Sequence, residues 1–262
     1  MKQKREFKRT LDEHRPDENR ENRIFGRNAV RELLASGRDV DKIYVSSGER
    51  EGSILRLIGE ARERRIPIVE CDRRKLDLLS EGGAHQGIVA VAAEHDYATV
   101  DDMLALAAER GEKPLLVLAD GIEDPRNLGA LLRVAECTGA HGVIVPKRRA
   151  VGLTALVAKT SAGAISHLPV ARVTNLAVAI DDLKERGFWI YAADMDGKAY
   201  YDTDLLGSVA LVLGSEGEGV SRLVKEKCDF VVSIPLYGRV NSMNVTSAAA
   251  VILAEAARQR HN

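Results

Sequence analysis

The sequence predicts an α/β protein in two parts, the larger of which is a mostly parallel sheet covered by helices on both faces. From residue 114 onwards, short continuous runs of Val, Ile and Leu alternate with helical patterns, which is typical of parallel strands buried on both sides. A smaller α/β pattern of about 70 residues precedes this region. With 262 residues, the chain is long enough for both units.

The smaller unit is predicted to span residues 24–95. Its helices show apolar residues every three or four positions, as Ile54, Leu57, Ile58 and Ala61 do. The pattern predicts helices over 28–37, 53–65 and 74–82, and strands over 42–47, 66–71 and 86–93.

Two further segments flank this unit. Residues 1–23 contain eight Lys or Arg and six Asp or Glu with almost no apolar residues, which predicts a disordered charged arm. Such an arm is a solubilising tail, a remnant of cloning or an RNA-contacting segment. Residues 96–113 are predicted to be a linker with a helix at its end.

The larger unit is predicted to span residues 114–262. Strands are expected over 114–122, 141–146, 168–173, 188–194, 209–214 and 230–236, and helices over 127–138, 153–165 and 176–186. In sheets of this kind, ligands bind at the carboxyl ends of the strands. A functional site is therefore expected in the loops after residues 122, 194, 214 and 236.

Charge and cysteine content exclude several classes of protein. The formal net charge is -1, so any contact with nucleic acid must use a local basic patch. Cys71, Cys137 and Cys228 are far apart, so neither a zinc site nor a disulfide framework is predicted, and the expected location is the reducing cytoplasm. No apolar run reaches the roughly 18 residues of a membrane span, and the charged start is unlike a secretory signal.

The first candidate loop, DGIEDPRNLGALLRVAECTG (120–139), leads into a helix. Asp124 and Pro125 suit the N-cap and the first helical position. Arg133 lies off the apolar stripe, on the same face as Gly129 and Ala130. Because these two residues are small, the guanidinium is expected to reach a ligand at the helix start. A solvated surface arginine fits the same pattern.

The second candidate loop, LVLGSEGEGVS (211–221), joins a strand to a helix through three glycines, which permit close approach of a ligand. It matches neither GxGxxG nor the Walker loop. Glu216 lies in its middle, where a carboxylate disfavours a phosphate. The loop is expected instead to accept hydrogen bonds from hydroxyl or amine groups.

The third candidate loop opens IPLYGRVNSMNVTSAAAVILAEAARQR (234–260). Asn241, Ser242 and Asn244 precede a helix rich in alanine. One such residue suffices to cap a helix, so three in four positions exceed what capping requires. The small helix is expected to pack closely against the sheet or a second subunit.

Histidines and acids add no recognised catalytic pattern. The loops contain no Ser/His/Asp set, no HExxH and no paired carboxylates. His141 and His167 are expected to be structural. His85 with Gln86 is either a substrate contact or a structural pair.

Together, the three loops resemble the three successive motifs of the SpoU (TrmH-like) RNA ribose 2′-O-methyltransferases of the SPOUT superfamily. The motifs are DPRNLGALLRVAECTGAHGVIVP, LVLGSEGEGVS and IPLYGRVNSMNVTSAAAVILAEA, in family order over residues 114–260. Residues 24–93, with IFGRNAVRELL and HQGIVA, resemble the small RNA-binding domain of these enzymes, which is similar to a ribosomal-protein fold. Within the family, the resemblance is strongest to the enzymes that methylate a guanosine of 23S rRNA.

The resemblance implies a deep trefoil knot, S-adenosyl-L-methionine as cofactor, RNA as substrate and a homodimer with its site near the interface, without metal or membrane. The implied cofactor-binding residues are Leu213, Gly214, Ile234, Leu236, Ser242 and Met243. The implied catalytic residues are Asn127, Arg133, Glu216, Ser242 and Asn244. Two positions depart from the family pattern: Arg239 replaces a residue that is often small, and Thr246 replaces the more usual serine.

The implied reaction is attack of a ribose 2′-hydroxyl on a sulfonium methyl group, which requires alignment and removal of a proton. The resemblance gives proton removal to Arg133. Because a guanidinium stays protonated in proteins, stabilising the developing alkoxide or a nearby phosphate is an equally good role. Asn127 and Asn244 are expected to orient the substrate and the loops, and Ser242 and Glu216 to fix the loop and the substrate or cofactor.

Other functions fit parts of the sequence. A non-catalytic RNA-binding or ribosome-assembly protein would keep the fold without binding the cofactor. A dinucleotide-dependent enzyme is suggested only by the glycine loop, and the acid expected about 20 residues later is missing. Within the methyltransferases, tRNA or a different rRNA nucleotide, as in resistance enzymes, is an alternative substrate. The small N-terminal domain favours rRNA only by analogy with the family that it resembles.

Overall fold

The structure is a computed structural model and describes residues 22–48 and 52–261. The predicted arm, 1–23, lies almost entirely outside this range, and only its last residue, Arg23, belongs to a strand. The described residues form two sheets, one of four strands and one of six. None of the helices in the described ranges has the length and apolar character needed to cross a membrane.

The smaller sheet has the strand order β1-β4-β2-β3. Strand β4 pairs antiparallel with β1 and β2, whereas β2 and β3 are parallel. Apolar faces of the first two helices form the core with the sheet. In chain order, the elements are β1 (Arg23–Phe25), α1 (Arg27–Ala35), β2 (Val40–Ser46), α2 (Gly52–Glu63), β3 (Ile68–Cys71), α3 (Arg73–Leu79) and β4 (Ile88–Ala92).

The larger sheet is parallel throughout, with the order β10-β8-β9-β5-β6-β7. Its central strands are fully buried, with helices on both faces, which confirms the predicted α/β class. Its elements are α4 (Val100–Glu109), β5 (Leu115–Asp120), α5 (Pro125–Cys137), β6 (Gly142–Pro146), α6 (Ala155–Thr160), β7 (Val170–Val173), α7 (Leu176–Glu185), β8 (Trp189–Ala199), β9 (Val209–Gly214), α8 (Arg222–Lys227), β10 (Phe230–Ser233) and α9 (Val245–His261).

Several elements have bounds other than those predicted, and the three largest differences in the larger unit are as follows. The helix expected over 153–165 ends at Thr160, because Ala162 and Gly163 adopt positive φ angles of 50° and 92° and a short 3₁₀ turn follows. Strand β10 ends at Ser233 rather than 236, shortly before Pro235, which has no N–H for the ladder. Strand β8 continues to Ala199, five residues beyond the prediction.

A buried ion pair joins the two sheets. Arg172, on β7, donates to Asp41 Oδ1 at 2.7 Å and to the Val40 carbonyl at 2.8 Å. The Tyr97 hydroxyl donates to the same Asp41 oxygen at 2.8 Å, and its ring lies 4.2 Å from the guanidinium carbon. The segment expected to be a linker also carries α4, whose Met103 is buried in the core of the larger sheet.

Candidate active site

The three candidate loops meet at the carboxyl edge of the larger sheet, and Asn244 links them. Its Nδ2 group donates to Asn127 Oδ1 at 3.2 Å and also to Glu216 Oε1. Asn127 lies in the first turn of α5, after β5, and Glu216 lies in the loop after β9. One polar side chain from each loop therefore converges on a single amide group.

The same asparagine begins helix α9. Its Oδ1 atom accepts from the backbone N–H groups of Thr246 at 3.0 Å and Ser247 at 3.3 Å. Of the three capping candidates in the sequence, Asn244 is thus the residue that caps. Asn241 and Ser242 are exposed and cap no described helix, so their polar groups are available for other contacts.

The glycine-rich loop is a tight turn fixed by hydrogen bonds within the loop and to the end of β5. Ser215 and Gly219 exchange two backbone hydrogen bonds of 3.1 and 3.0 Å. Gly217 and Gly219 have φ angles of 97° and 69°, which favour glycine. The buried Asp120 carboxylate, at the end of β5, accepts from the Ser221 N–H at 2.8 Å. This bond fixes the second loop to the first.

A cavity of about 680 Å³ opens between the second and third loops. Its lining includes all six cofactor-binding residues expected from the sequence, Leu213, Gly214, Ile234, Leu236, Ser242 and Met243. Glu216 and Asn244 line it as well. The cavity is therefore adjacent to the point where the three loops meet.

The chemistry of this cavity suits S-adenosylmethionine. Three carboxylates line it, from Asp194, Glu216 and Glu218, of which Asp194 is paired with Lys225 from outside the cavity. No Lys, Arg or His is among its described lining residues. Such surroundings favour a ligand with a positively charged sulfonium and ammonium group. Side chains such as Leu213 and Ile252 offer apolar contact for an adenine ring.

The backbone of residues 236–243 is also free to bind a ligand. This segment is neither helix nor strand, and its N–H and C=O groups make no hydrogen bond to other described parts of the chain. These residues are exposed, so water binds their backbone groups until a ligand replaces it. They are available for the polar edge of a cofactor.

A second cavity, of about 1180 Å³, lies on the other side of the glycine-rich loop. It contains Asn127 and shares Glu216 with the first cavity. Carboxylates dominate its lining, and several are already engaged: Asp194 with Lys225 at 2.7 Å, for example. This bond is the main reason that the pKa of Asp194 lies below its usual value.

Arg133 does not join this group within one chain. It lies six residues after Asn127 on α5, about 9 Å further along the axis and roughly 240° around it. It is exposed, lines neither cavity and has no hydrogen bond or ion pair to any described residue. The proposed clear approach past Gly129 is wrong, because Gly129 is buried and a Cβ there would overlap Thr160 Oγ1 of α6.

His85 is a structural residue rather than a substrate contact. Its ring is buried, with Nε2 3.0 Å from Asp77 Oδ1 and Nδ1 accepting from the Gly87 N–H at 3.0 Å. The Gln86 side chain accepts from the Arg27 N–H at 3.0 Å. The pair therefore organises the turn before β4.

Sequence reasoning missed three contributors to the site. Asp120 ends a buried strand at the carboxyl edge, which is a signal that could have been used. Lys225 and Arg149 line the larger cavity, but they come from α8 and from the loop after β6, where no motif marks them. Among the described residues, no cluster of His, Cys, Asp and Glu has the composition of a metal site.

Family models match both parts of the chain. Residues 114–254 match the SpoU rRNA Methylase family. Residues 23–98 match the model described as RNA 2'-O ribose methyltransferase substrate binding. The two matches follow the division between the two sheets.

Curated relatives and solved structures agree with these matches. YacO of Bacillus subtilis, named as a TrmH family tRNA/rRNA methyltransferase, is 44% identical over 91% of this chain and 96% of its own. A Staphylococcus haemolyticus protein of the same family name has the same identity and coverage. The SpoU methyltransferase AviRb of Streptomyces viridochromogenes, solved with S-adenosylmethionine, has a TM-score of 0.58 and 26% identity over 90% of this chain and 89% of that one. The chain thus belongs to the SpoU rRNA methylase family and is an S-adenosylmethionine-dependent RNA methyltransferase.

Proposed function

We propose that the enzyme methylates the 2′-hydroxyl of a ribose in RNA. The observation that carries this proposal is the convergence of Asn127, Glu216 and Asn244 beside the cofactor-sized cavity. Uncharged amides and one carboxylate suit a sugar hydroxyl better than a phosphate. The family description of the small domain, which names 2'-O ribose methyltransferases, supports the same reaction.

S-adenosylmethionine supplies an electrophilic methyl group when it is bound. The protein then has to position the ribose and accommodate charge on its oxygen. Asn244 donates a hydrogen bond to Oε1 of Glu216. Oε2 of Glu216 is therefore the oxygen available to accept a hydrogen bond from a ribose hydroxyl. Asn127 accepts from Asn244 through its oxygen, which leaves its own N–H groups to donate to the substrate. Ser242, exposed at the cavity wall, is available to fix the loop or the cofactor.

We further propose that the enzyme is a homodimer in which Arg133 of one subunit serves the site of the other. The exposed guanidinium without a described partner supports this role. Arg133→Ala and Asn244→Ala should each be inactive alone. Their mixture should recover about one quarter of wild-type activity, because half of the random dimers are hybrids and each hybrid has one complete site.

Cofactor binding provides the control for the mixing experiment. Cofactor affinity of Arg133→Ala, measured by calorimetry, should equal that of the wild type. Loss of cofactor binding in parallel with activity, or no recovery on mixing, would contradict the role of Arg133 across the interface. A wild-type protein that binds no S-adenosylmethionine would favour the non-catalytic RNA-binding alternative.

For the substrate, we propose a guanosine of 23S rRNA, in the cytoplasm. The two-domain arrangement and the rRNA in the family description support this choice, whereas the relatives' names include both tRNA and rRNA. Deleting the gene and analysing digested ribosomal and transfer RNA by mass spectrometry decides between them. Loss of one 2′-O-methylguanosine from 23S rRNA is expected, and loss from tRNA alone would contradict the choice.

We also propose that the C-terminal segment forms the trefoil knot of the family. The strand order supports it, because β9 lies between β5 and β8 while the later strand β10 lies at the edge beyond β8. The small domain's mixed sheet is the part proposed to resemble a ribosomal-protein fold.

A further inference from the structure

A basic cleft of about 410 Å³ lies between the two sheets, next to the Arg172–Asp41 pair. It is formed mainly by the loop after β6 and by the facing edge of the small sheet. Its charged lining residues are five cations and one carboxylate: Lys42, Lys147, Arg148, Arg149, Arg172 and Asp41. This is the local basic patch that a chain of net charge -1 needs for binding nucleic acid.

Most of these cations are not neutralised within the protein. Arg172 is engaged by Asp41. Lys42, Arg148 and Arg149 have no hydrogen bond or ion pair to any described residue. Lys147 donates to the Arg64 carbonyl at 3.3 Å, and burial, followed by the nearby charges of Arg172 and Arg65, lowers its pKa. The cleft therefore holds an excess of positive charge facing solvent.

The cleft contrasts with the second cavity, which contains Asn127 and Glu216 and is called the catalytic chamber below. That chamber is rich in carboxylates, including Glu123, Asp124 and Glu218, and so repels phosphate groups. Arg149 lines both the chamber and the cleft. The other two cations of the chamber, Arg222 and Lys225, are paired with Glu226 and Asp194. A phosphate next to a ribose at Asn127 and Glu216 therefore has a favourable position on the Arg149 side.

We propose that this cleft binds the phosphate backbone of the substrate RNA next to the nucleotide that is methylated. The proposal rests on the proposed function, because it uses the catalytic chamber to set where the strand enters. The lining has no aromatic side chain among the described residues, so bases have no surface for stacking. The contacts should therefore position the strand and carry no base specificity.

The test replaces two cations that line the cleft, have no described partner and do not line the catalytic chamber, as Lys42→Gln with Arg148→Gln. The probe is a fluorescein-labelled RNA hairpin, titrated at several salt concentrations. Removing two phosphate contacts should weaken binding roughly tenfold and lower the slope of log affinity against log salt by about 1.4. The charge-matched control is Arg110→Gln with Lys113→Gln, because both residues are exposed and precede the amino end of β5. The control should change neither quantity.

Enzyme kinetics separate positioning from folding defects. The double variant should raise KM for RNA about tenfold while kcat, cofactor affinity and the melting temperature stay at wild-type values. Unchanged RNA affinity and salt slope would overturn the proposal and leave an acidic protein partner as the occupant. An equal loss in the control pair would also overturn it, because the effect would then be one of net charge.

Failure of the proposed function would look different. If the wild type transfers no methyl group to ribose but the double variant still loses RNA affinity and salt slope, the cleft stands and 2′-O-methylation is wrong. If methyl transfer occurs and the variant binds RNA normally, the reaction stands and the cleft is wrong.

Discussion

At the scale of single residues, Asn244 has two functions, one at each end of its amide. Its oxygen caps helix α9 and its nitrogen joins the first and second loops. The sequence showed that polar groups were in surplus before this helix, since capping needs one residue. It did not show which one caps, because all three candidates have suitable side chains and only the chain path separates them.

The two functions of Asn244 can be separated by substitution. Asn244→Ala should lose both the cap and the link, and so should lose about 1 kcal/mol of unfolding free energy together with most activity. Asn244→Ser keeps a cap acceptor but lacks the amide N–H, so it should retain stability and lose activity. Urea denaturation and methyl-transfer assays on both variants check this. Full activity in Asn244→Ser would show that the link is dispensable.

His141 gives a residue-scale prediction for pH. Its buried Nδ1 accepts from the Leu115 N–H at 3.0 Å, and Nε2 lies 3.0 Å from Glu112 Oε2 without hydrogen-bond alignment. Burial lowers the pKa of His141 below 6.5, and Glu112 offsets this only in part. The folded state therefore favours the neutral ring, so stability should be complete above pH 6.5 and should fall as the pH drops below it.

His141→Asn keeps an acceptor for the Leu115 N–H and does not titrate. We expect the wild type to lose unfolding free energy between about pH 7.5 and about pH 5.5, and we expect the variant to lose less. Denaturation curves at both values compare them. The same loss in both proteins would assign the pH dependence to other groups.

At the scale of elements, the contact between α5 and α6 depends on Gly129. A Cβ at this position would overlap Thr160 Oγ1 and lie 2.8 Å from the Val157 carbonyl oxygen. The sequence identified Gly129 as small but assigned its purpose to Arg133. Helical periodicity predicts which residues share a face of a helix. It does not predict which element packs on that face, and here that element is a helix about 30 residues further along the chain.

Two matched glycine substitutions test this role. Gly129→Ala should cost about 1–3 kcal/mol because α6 has to shift. Gly59→Ala, in α2 with no atom within 4 Å of the added Cβ, should instead stabilise by about 0.5–1 kcal/mol. Thermal and urea unfolding measure both. A neutral Gly129→Ala would mean that α6 yields without cost.

At the scale of the whole molecule, the parallel sheet and the position of the site could be predicted, but the docking of the two units could not. Continuous apolar strands indicate a doubly covered sheet, and such a sheet places its loops at one edge. Asp41 and Arg172 are 131 positions apart. The local sequence around each of them predicts an ordinary exposed charge. Only the fold brings them together and buries them.

The Arg172–Asp41 pair should hold the two units as one cooperative structure. Their side chains are only 8% and 3% exposed, so Asp41→Ala would leave a buried guanidinium without its carboxylate and should cost about 3–5 kcal/mol. Calorimetry should show one unfolding transition in the wild type and two in the variant. Asp101→Ala, which breaks the exposed pair with Arg186, should cost no more than about 1 kcal/mol. One transition in Asp41→Ala would show that other contacts dock the units.

The free backbone of residues 236–243 has a consequence for how such enzymes diversify. If the cofactor is held there by main-chain atoms, the side chains of this segment that do not line the cavity are released from cofactor recognition. Tyr237 and Val240, 92% and 72% exposed, and the atypical Arg239 project from it. Mutations at these positions can then change which RNA is chosen without altering the methyl donor, so substrate choice and cofactor use can evolve independently within eight residues.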